Sequence, residues 1–105
     1  MTMARELDEA VFDQAVSSGL VVVDFWAPWC GPCRMMTPVV EELSGEYGTK
    51  VSFCKLNVDE YSAPAVRYQV MSIPTFLVFK DGRLVDRIIG ALPKEKLKAR
   101  INKHL

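Results

Sequence analysis

Seven consecutive residues, Leu20 to Trp26 (LVVVDFW), are apolar except for Asp24. A strand with one wet face alternates apolar and polar side chains, so an unbroken run reads as a strand covered on both faces, at the centre of a parallel sheet. Three adjacent valines favour extended backbone over helix. The chain must therefore build a layer on either side of this strand, and the flanking segments supply them. Residues 8–18 read as a helix: Asp8 caps it, Leu7 and Phe12 stand where a hydrophobic staple needs them, and Gly19 ends it. From Pro32 to Tyr47 the positions Met36, Val39, Val40, Leu43 and Tyr47 recur at helical spacing, and Gly48 closes the run. Pro38 removes one N–H inside that helix, a structural kink. Residues 51–58 form another strand, 60–68 a short helix, and 75–79 and 84–89 two more strands. The last two flank Asp81-Gly82, which predicts a type I′ hairpin and an antiparallel pair. Pro93 opens a final helix with Leu97, Ile101 and Leu105 in one apolar stripe. A first strand is expected at about residues 3–6.

With 105 residues the chain makes one domain, 1–105, large enough to fold without disulfide staples. Lys plus Arg and Asp plus Glu each number 13, so no net field exists to hold a nucleic-acid backbone. The longest uncharged stretch, 68–79, has 12 residues and contains Pro74, short of the roughly 18 that a membrane helix requires. Arg5, Glu6, Asp8 and Glu9 exclude the apolar centre of a secretory signal, which points to a soluble, cytoplasmic protein. Cys30, Cys33 and Cys54 are an odd set, unsuited to a secreted disulfide framework.

Cys30 and Cys33 are spaced C-x-x-C where the central strand ends and the long helix starts. The unpaired N–H groups and positive end of that helix favour an anion, so a Cys30 thiolate is stabilised. Cys30 takes the exposed cap position and Cys33 lies one turn in, less accessible to a partner sulfur. Gly31 and Pro32 between them tune the pair, and Pro32 costs nothing in a first turn whose N–H groups lack helical partners. A thiolate beside a second thiol attacks a disulfide and is then resolved internally, a reversible two-electron carrier. The same spacing is also half of a zinc site, whose other ligands would have to be Cys54 and His104. Asp24, inside an apolar strand, is costly as a carboxylate unless paired, so burial raises its pKa. Such a group serves as a general base, or merely bonds backbone or water in the core. Cys54 reads as an inert buried thiol and Lys55 as a solvated strand charge; His104 has no evident partner.

The chain resembles the thioredoxin family along nearly its whole length. The resemblance rests on VDFWAPWCGPC at 23–33, Pro38, KLNVDE at 55–60, SIPT at 72–75, KDG at 80–82 and Gly90. It implies an α/β thioredoxin fold, a central five-stranded mixed sheet flanked by four helices. It also implies a general protein disulfide reductase that acts as a monomer on disulfide-containing proteins and is recharged by a separate thioredoxin reductase. Cys30 then matches the nucleophile, Cys33 the resolving thiol, Asp24 the buried acid and Lys55 the lysine near it. Ile73-Pro74 matches the family's cis-proline, and Trp29, Ile73, Pro74, Gly90 and Ala91 its apolar docking surface. Gly90 also reads as a simple strand bulge, and Trp26 as a core aromatic. Ser72 and Pro93 depart from the commoner Gly and Ser or Asp. No G-x-G-x-x-G fingerprint is present, so electrons come from outside and no cofactor beyond the cysteine pair is expected. Two other classes remain: a binding subunit with this fold, and a zinc protein. An oxidase or isomerase usually carries His where this chain has Pro32, so reduction is the favoured direction.

Overall fold

The structure, a computed structural model, describes residues 4–105. In chain order it contains β1 (Arg5–Leu7), α1 (Phe12–Ala15), β2 (Leu20–Trp26), α2 (Gly31–Tyr47), a 3-10 turn (Gly48–Lys50), β3 (Ser52–Asn57), α3 (Ala63–Arg67), β4 (Thr75–Lys80), β5 (Arg83–Ile89) and α4 (Lys94–Asn102). The five strands form one sheet in the order β1-β3-β2-β4-β5. β3 runs parallel to both β1 and β2, whereas β4 is antiparallel to β2 and β5. This is the five-stranded mixed sheet with four helices that the resemblance implies, and β2 lies at its centre.

Alternation along β2 explains why its sequence is apolar throughout. Leu20 and Val22 face a layer made by α2 and α4, where Met36, Val40, Leu43, Leu97 and Ile101 are buried. Val21, Val23 and Phe25 face the opposite layer, with Phe12, Val16 and Ala65. Full burial of a side chain such as Phe25 contributes about 1.5–3 kcal/mol, so neither face tolerates an unpaired polar group without cost. Asp24 continues the Leu20 and Val22 row, which sends its carboxylate toward α2.

Four local expectations need correction. Helix α1 has four residues rather than the whole of 8–18. Asp8 does accept a backbone N–H, from Val11 at 3.0 Å, but it closes a turn ahead of the helix. At the other end the Ser17 hydroxyl bonds the Gln14 carbonyl at 2.7 Å, a local alternative to another helical turn. Leu7 and Phe12 nevertheless bury together. Helix α3 starts later than expected because Asn57 first organises a turn, its carbonyl accepting from Glu60 and Tyr61 and its side chain from the Asp59 N–H. Leu105 is exposed beyond the end of α4, so the apolar stripe consists of Leu97 and Ile101. His104 has a partner after all, Asp86 at 3.0 Å, which also binds Arg100 and so ties α4 to β5.

The hairpin behaves as its Asp-Gly step requires: φ is +50° at Asp81 and +87° at Gly82. The expected first strand is β1, shifted to Arg5–Leu7. Residue 3 of the expected range lies outside the described residues. Helix α2 continues unbroken through Pro38 to Tyr47.

Candidate active site

The β2–α2 junction sets the two cysteines one helical turn apart. Cys30 is the N-cap of α2, and its Sγ accepts the Cys33 N–H at 3.1 Å. That bond satisfies one of the orphan donors of the first turn with sulfur, the arrangement that stabilises a thiolate at Cys30. Gly31 and Pro32 occupy the two helical positions between, where neither N–H is missed. Cys30 and Cys33 are joined as a disulfide with Cα atoms 5.2 Å apart. Both are only 3% exposed, which corrects the expectation of an open Cys30 and a sheltered Cys33. They share a small apolar cluster with Ala27, against which Trp26, Val58 and Ile73 pack. What distinguishes the two residues is therefore the cap bond to Cys30 Sγ, not their overall exposure.

Around the disulfide the chain presents a broad apolar surface. Trp29 is 68% exposed and its indole N–H donates to Asp59 Oδ2 at 2.8 Å, which fixes the ring beside the cysteines. Trp29, Val58, Ala65, Val70, Met71 and Ile73, with Ser72, line a groove of about 390 Å³. The Ile73–Pro74 peptide is cis. Ile73 precedes the ladder of β4, which starts at Thr75, so its backbone lies outside the sheet pairing. The Pro74 carbonyl accepts the Gly90 N–H at 2.8 Å. Gly90 has φ +91° and open space where a Cβ would stand, so the requirement for glycine is conformational. It is not the strand bulge: the β4–β5 irregularity falls at Val78/Phe79. Of the five expected docking residues, Trp29 and Ile73 line the groove; Pro74 is buried behind it, and Gly90 and the exposed Ala91 lie outside its lining.

Asp59 and Met71 were not singled out by the sequence argument. Asp59 sits inside the KLNVDE segment, where only its motif membership was visible. Met71, at 92% exposed, stands just before SIPT and could have been found as an apolar residue in a stretch of turn chemistry.

Asp24 lies on the other side of β2 from Phe25, 3% exposed, in a cross-strand row with Lys55 of β3 and Glu6 of β1. Among the described residues Asp24 Oδ1 has no hydrogen-bond partner. Burial pushes its carboxyl up to about 7, although Lys55 pulls the other way; Glu6 adds to the rise. Lys55 is more than a solvated strand charge: its Nζ is 3.6 Å from Glu6 and 4.8 Å from the centroid of the partly buried Trp26 ring.

A protein-family model for thioredoxin matches residues 3–103. The chain is 51% identical to a thioredoxin of Staphylococcus epidermidis over 100 residues, covering 95% of this chain and 96% of that one. It is 52% identical to a thioredoxin of Staphylococcus aureus, with the same coverage of both. The chain belongs to the thioredoxin family. Membership and the bonded Cys30–Cys33 pair together make it a dithiol–disulfide oxidoreductase, a protein-disulfide reductase.

Ser72 lines the apolar groove, and its carbonyl accepts the Thr75 hydroxyl at 2.7 Å. Pro93 caps α4 without a side-chain bond, and its carbonyl accepts from Lys96 and Leu97. The two further ligands that a zinc site would draw on, Cys54 and His104, are not gathered with the cysteine pair. Among the described residues no group of three His, Cys, Asp or Glu side chains could hold a metal. Among them, too, no helix is long and apolar enough to cross a membrane.

Cys54 is buried in β3, and burial raises its thiol pKa while Arg5 works weakly against the rise. Little thiolate forms there at neutral pH. Cys54→Ser is expected to keep reductase turnover within about twofold while losing roughly 1 kcal/mol of stability from a buried hydroxyl. Turnover in a coupled reductase assay and urea unfolding check both.

Proposed function

We propose that the protein is a general protein-disulfide reductase in which Cys30 attacks, Cys33 resolves and Asp24 manages the resolving proton. The observation that carries this reading is the Cys33 N–H held against Cys30 Sγ at the cap of α2. The reduced Cys30 thiolate attacks a substrate disulfide, forming a mixed disulfide and expelling one substrate thiolate. Asp24 takes the proton of the Cys33 thiol, with Lys55 holding the resulting local charge in balance. The Cys33 thiolate then attacks Cys30 sulfur, expels the second substrate thiolate and closes the Cys30–Cys33 disulfide. Two electrons have passed to the substrate, whose thiolates are protonated from solvent.

Substrates dock as extended backbone beside Ile73 and Pro74, with an apolar side chain in the groove next to Trp29, while Gly90 and Ala91 offer further contacts outside that groove. Recognition by backbone and a permissive apolar surface suits many protein disulfides. Electrons return from a separate thioredoxin reductase. A single domain acting as a monomer in the cytoplasm completes the reading.

Insulin reduction driven by NADPH and a thioredoxin reductase tests it. Sustained turnover is expected, and replacing the reductase with a ferredoxin-dependent one identifies the electron source. Absence of turnover with either, in folded protein, leaves the binding-subunit reading in its place.

A further inference from the structure

Asp24 faces a cavity of about 20 Å³ lined by Ala4, Asp24, Thr37, Val40, Glu41 and Lys55. One water needs roughly 10–15 Å³ and two to four polar partners. The lining provides them. Asp24 Oδ1 is unpartnered among the described residues. The Thr37 hydroxyl donates to the Cys33 carbonyl at 3.4 Å, which leaves its lone pairs free for a second bond. Glu41, next along the same face of α2, is exposed to solvent. The cavity thus joins a buried carboxylate, a hydroxyl tied to the first turn of the active-site helix, and a surface carboxylate.

We propose that Thr37 is a positioning residue of the reaction: its hydroxyl and Asp24 hold one water in this cavity, and that water carries the Asp24 proton to and from Glu41 at the surface. This rests on the reading of Asp24 as the base for Cys33. Asp24 is only 3% exposed, so its proton needs a path to bulk water at each turnover. The relay balances without moving electrons. The Cys33 thiol gives its proton to the Asp24 carboxylate, leaving a thiolate and a neutral acid. The acid passes a proton to the water as the water passes one to the Glu41 carboxylate, which releases it to solvent. Asp24 is again a carboxylate. The charged groups around it are Lys55 from β3, Glu6 from β1 and Glu41 from α2. Lys55 and Glu6 pair with each other at 3.6 Å, which leaves Glu41 as the carboxylate at the cavity mouth.

The test separates attack from resolution in single turnovers with insulin, followed by stopped-flow tryptophan fluorescence. Attack is measured in a Cys33→Ser background and resolution in the two-cysteine protein. Loss of one hydrogen-bonding partner predicts that Thr37→Val slows resolution roughly fivefold at pH 7, leaves attack unchanged, and is rescued by Thr37→Ser. In an Asp24→Asn background Thr37→Val should have no further effect, because the proton it helps to move is gone. Equal slowing of attack and resolution would mean a packing effect and overturn the proposal. Resolution slowed by Asp24→Asn but untouched by Thr37→Val would overturn the relay and leave Asp24 as base. Resolution untouched by Asp24→Asn would overturn both.

Discussion

Cys33→Ser protein accumulates covalent complexes with disulfide-bearing targets through Cys30, and Cys30→Ser protein accumulates few and shows no turnover. The asymmetry is not one of overall residue exposure, because both cysteines are equally buried in the disulfide. It comes from the cap. A hydrogen bond to a charged group is worth about 1.5–3 kcal/mol, and the Cys33 N–H, which bonds Cys30 Sγ in the disulfide, is placed to make such a bond to the Cys30 thiolate on reduction. Thiolate at position 30 is thereby favoured over thiolate at position 33 by roughly one to two orders of magnitude. Once the mixed disulfide has formed, its fate depends on Cys33 alone, since Cys54 lies buried in β3. Removing Cys33 leaves the intermediate without its internal resolver; removing Cys30 removes the attack itself, and turnover should fall by about three orders of magnitude or more. Mass spectrometry of the trapped species and a coupled turnover assay check the two halves. Complexes linked through Cys33 or Cys54 in comparable yield would reverse the roles.

The parts of this molecule that were legible in the sequence are those where one physical signal acts alone. Leu20 to Trp26 is apolar on both faces, so strand β2 matches its expected limits. Asp81-Gly82 dictates its own turn. Gly31 to Tyr47 has helical periodicity long enough to outweigh Pro38. Residues 8–18 were misjudged because local hydrogen bonds from Asp8 and Ser17 compete with a weakly helical, valine-containing segment. At the site, the sequence located Cys30, Cys33 and Asp24 by spacing and by a charge in an apolar run. It could not reveal the clasp of Asp59 on Trp29, which joins residues 30 positions apart. Nor could it show how much of Cys30 would be covered, because Ala27, Val58 and Ile73 converge on it from separate segments.

Asp24→Asn protein should become increasingly more stable than wild type as pH rises and lose rate in the resolving step. The carboxyl is pushed up to about 7 in the folded chain from an ordinary value of 3.8, and burial is the main cause. Between those values the folded state holds a proton that the unfolded state has released, so wild-type stability falls as pH rises through that window and levels off above it. Each unit of the window costs about 1.4 kcal/mol, so from pH 4 to pH 8 the total is about 4 kcal/mol. Asparagine has no such slope. Its buried amide carries a fixed desolvation cost at every pH, which shifts the whole curve without changing its shape. The difference between variant and wild type should therefore widen by about 4 kcal/mol from pH 4 to pH 8 in urea unfolding of the oxidised proteins. In the proposed mechanism this carboxylate accepts the Cys33 proton near neutral pH, where a base of matched pKa is most effective. Resolution of the mixed disulfide should slow in the variant by roughly a hundredfold at pH 7, the lower end of what a positioned general base contributes. A difference in stability that stays flat with pH, together with an unchanged resolution rate, would show that Asp24 is ionised without cost and takes no part in the proton transfer.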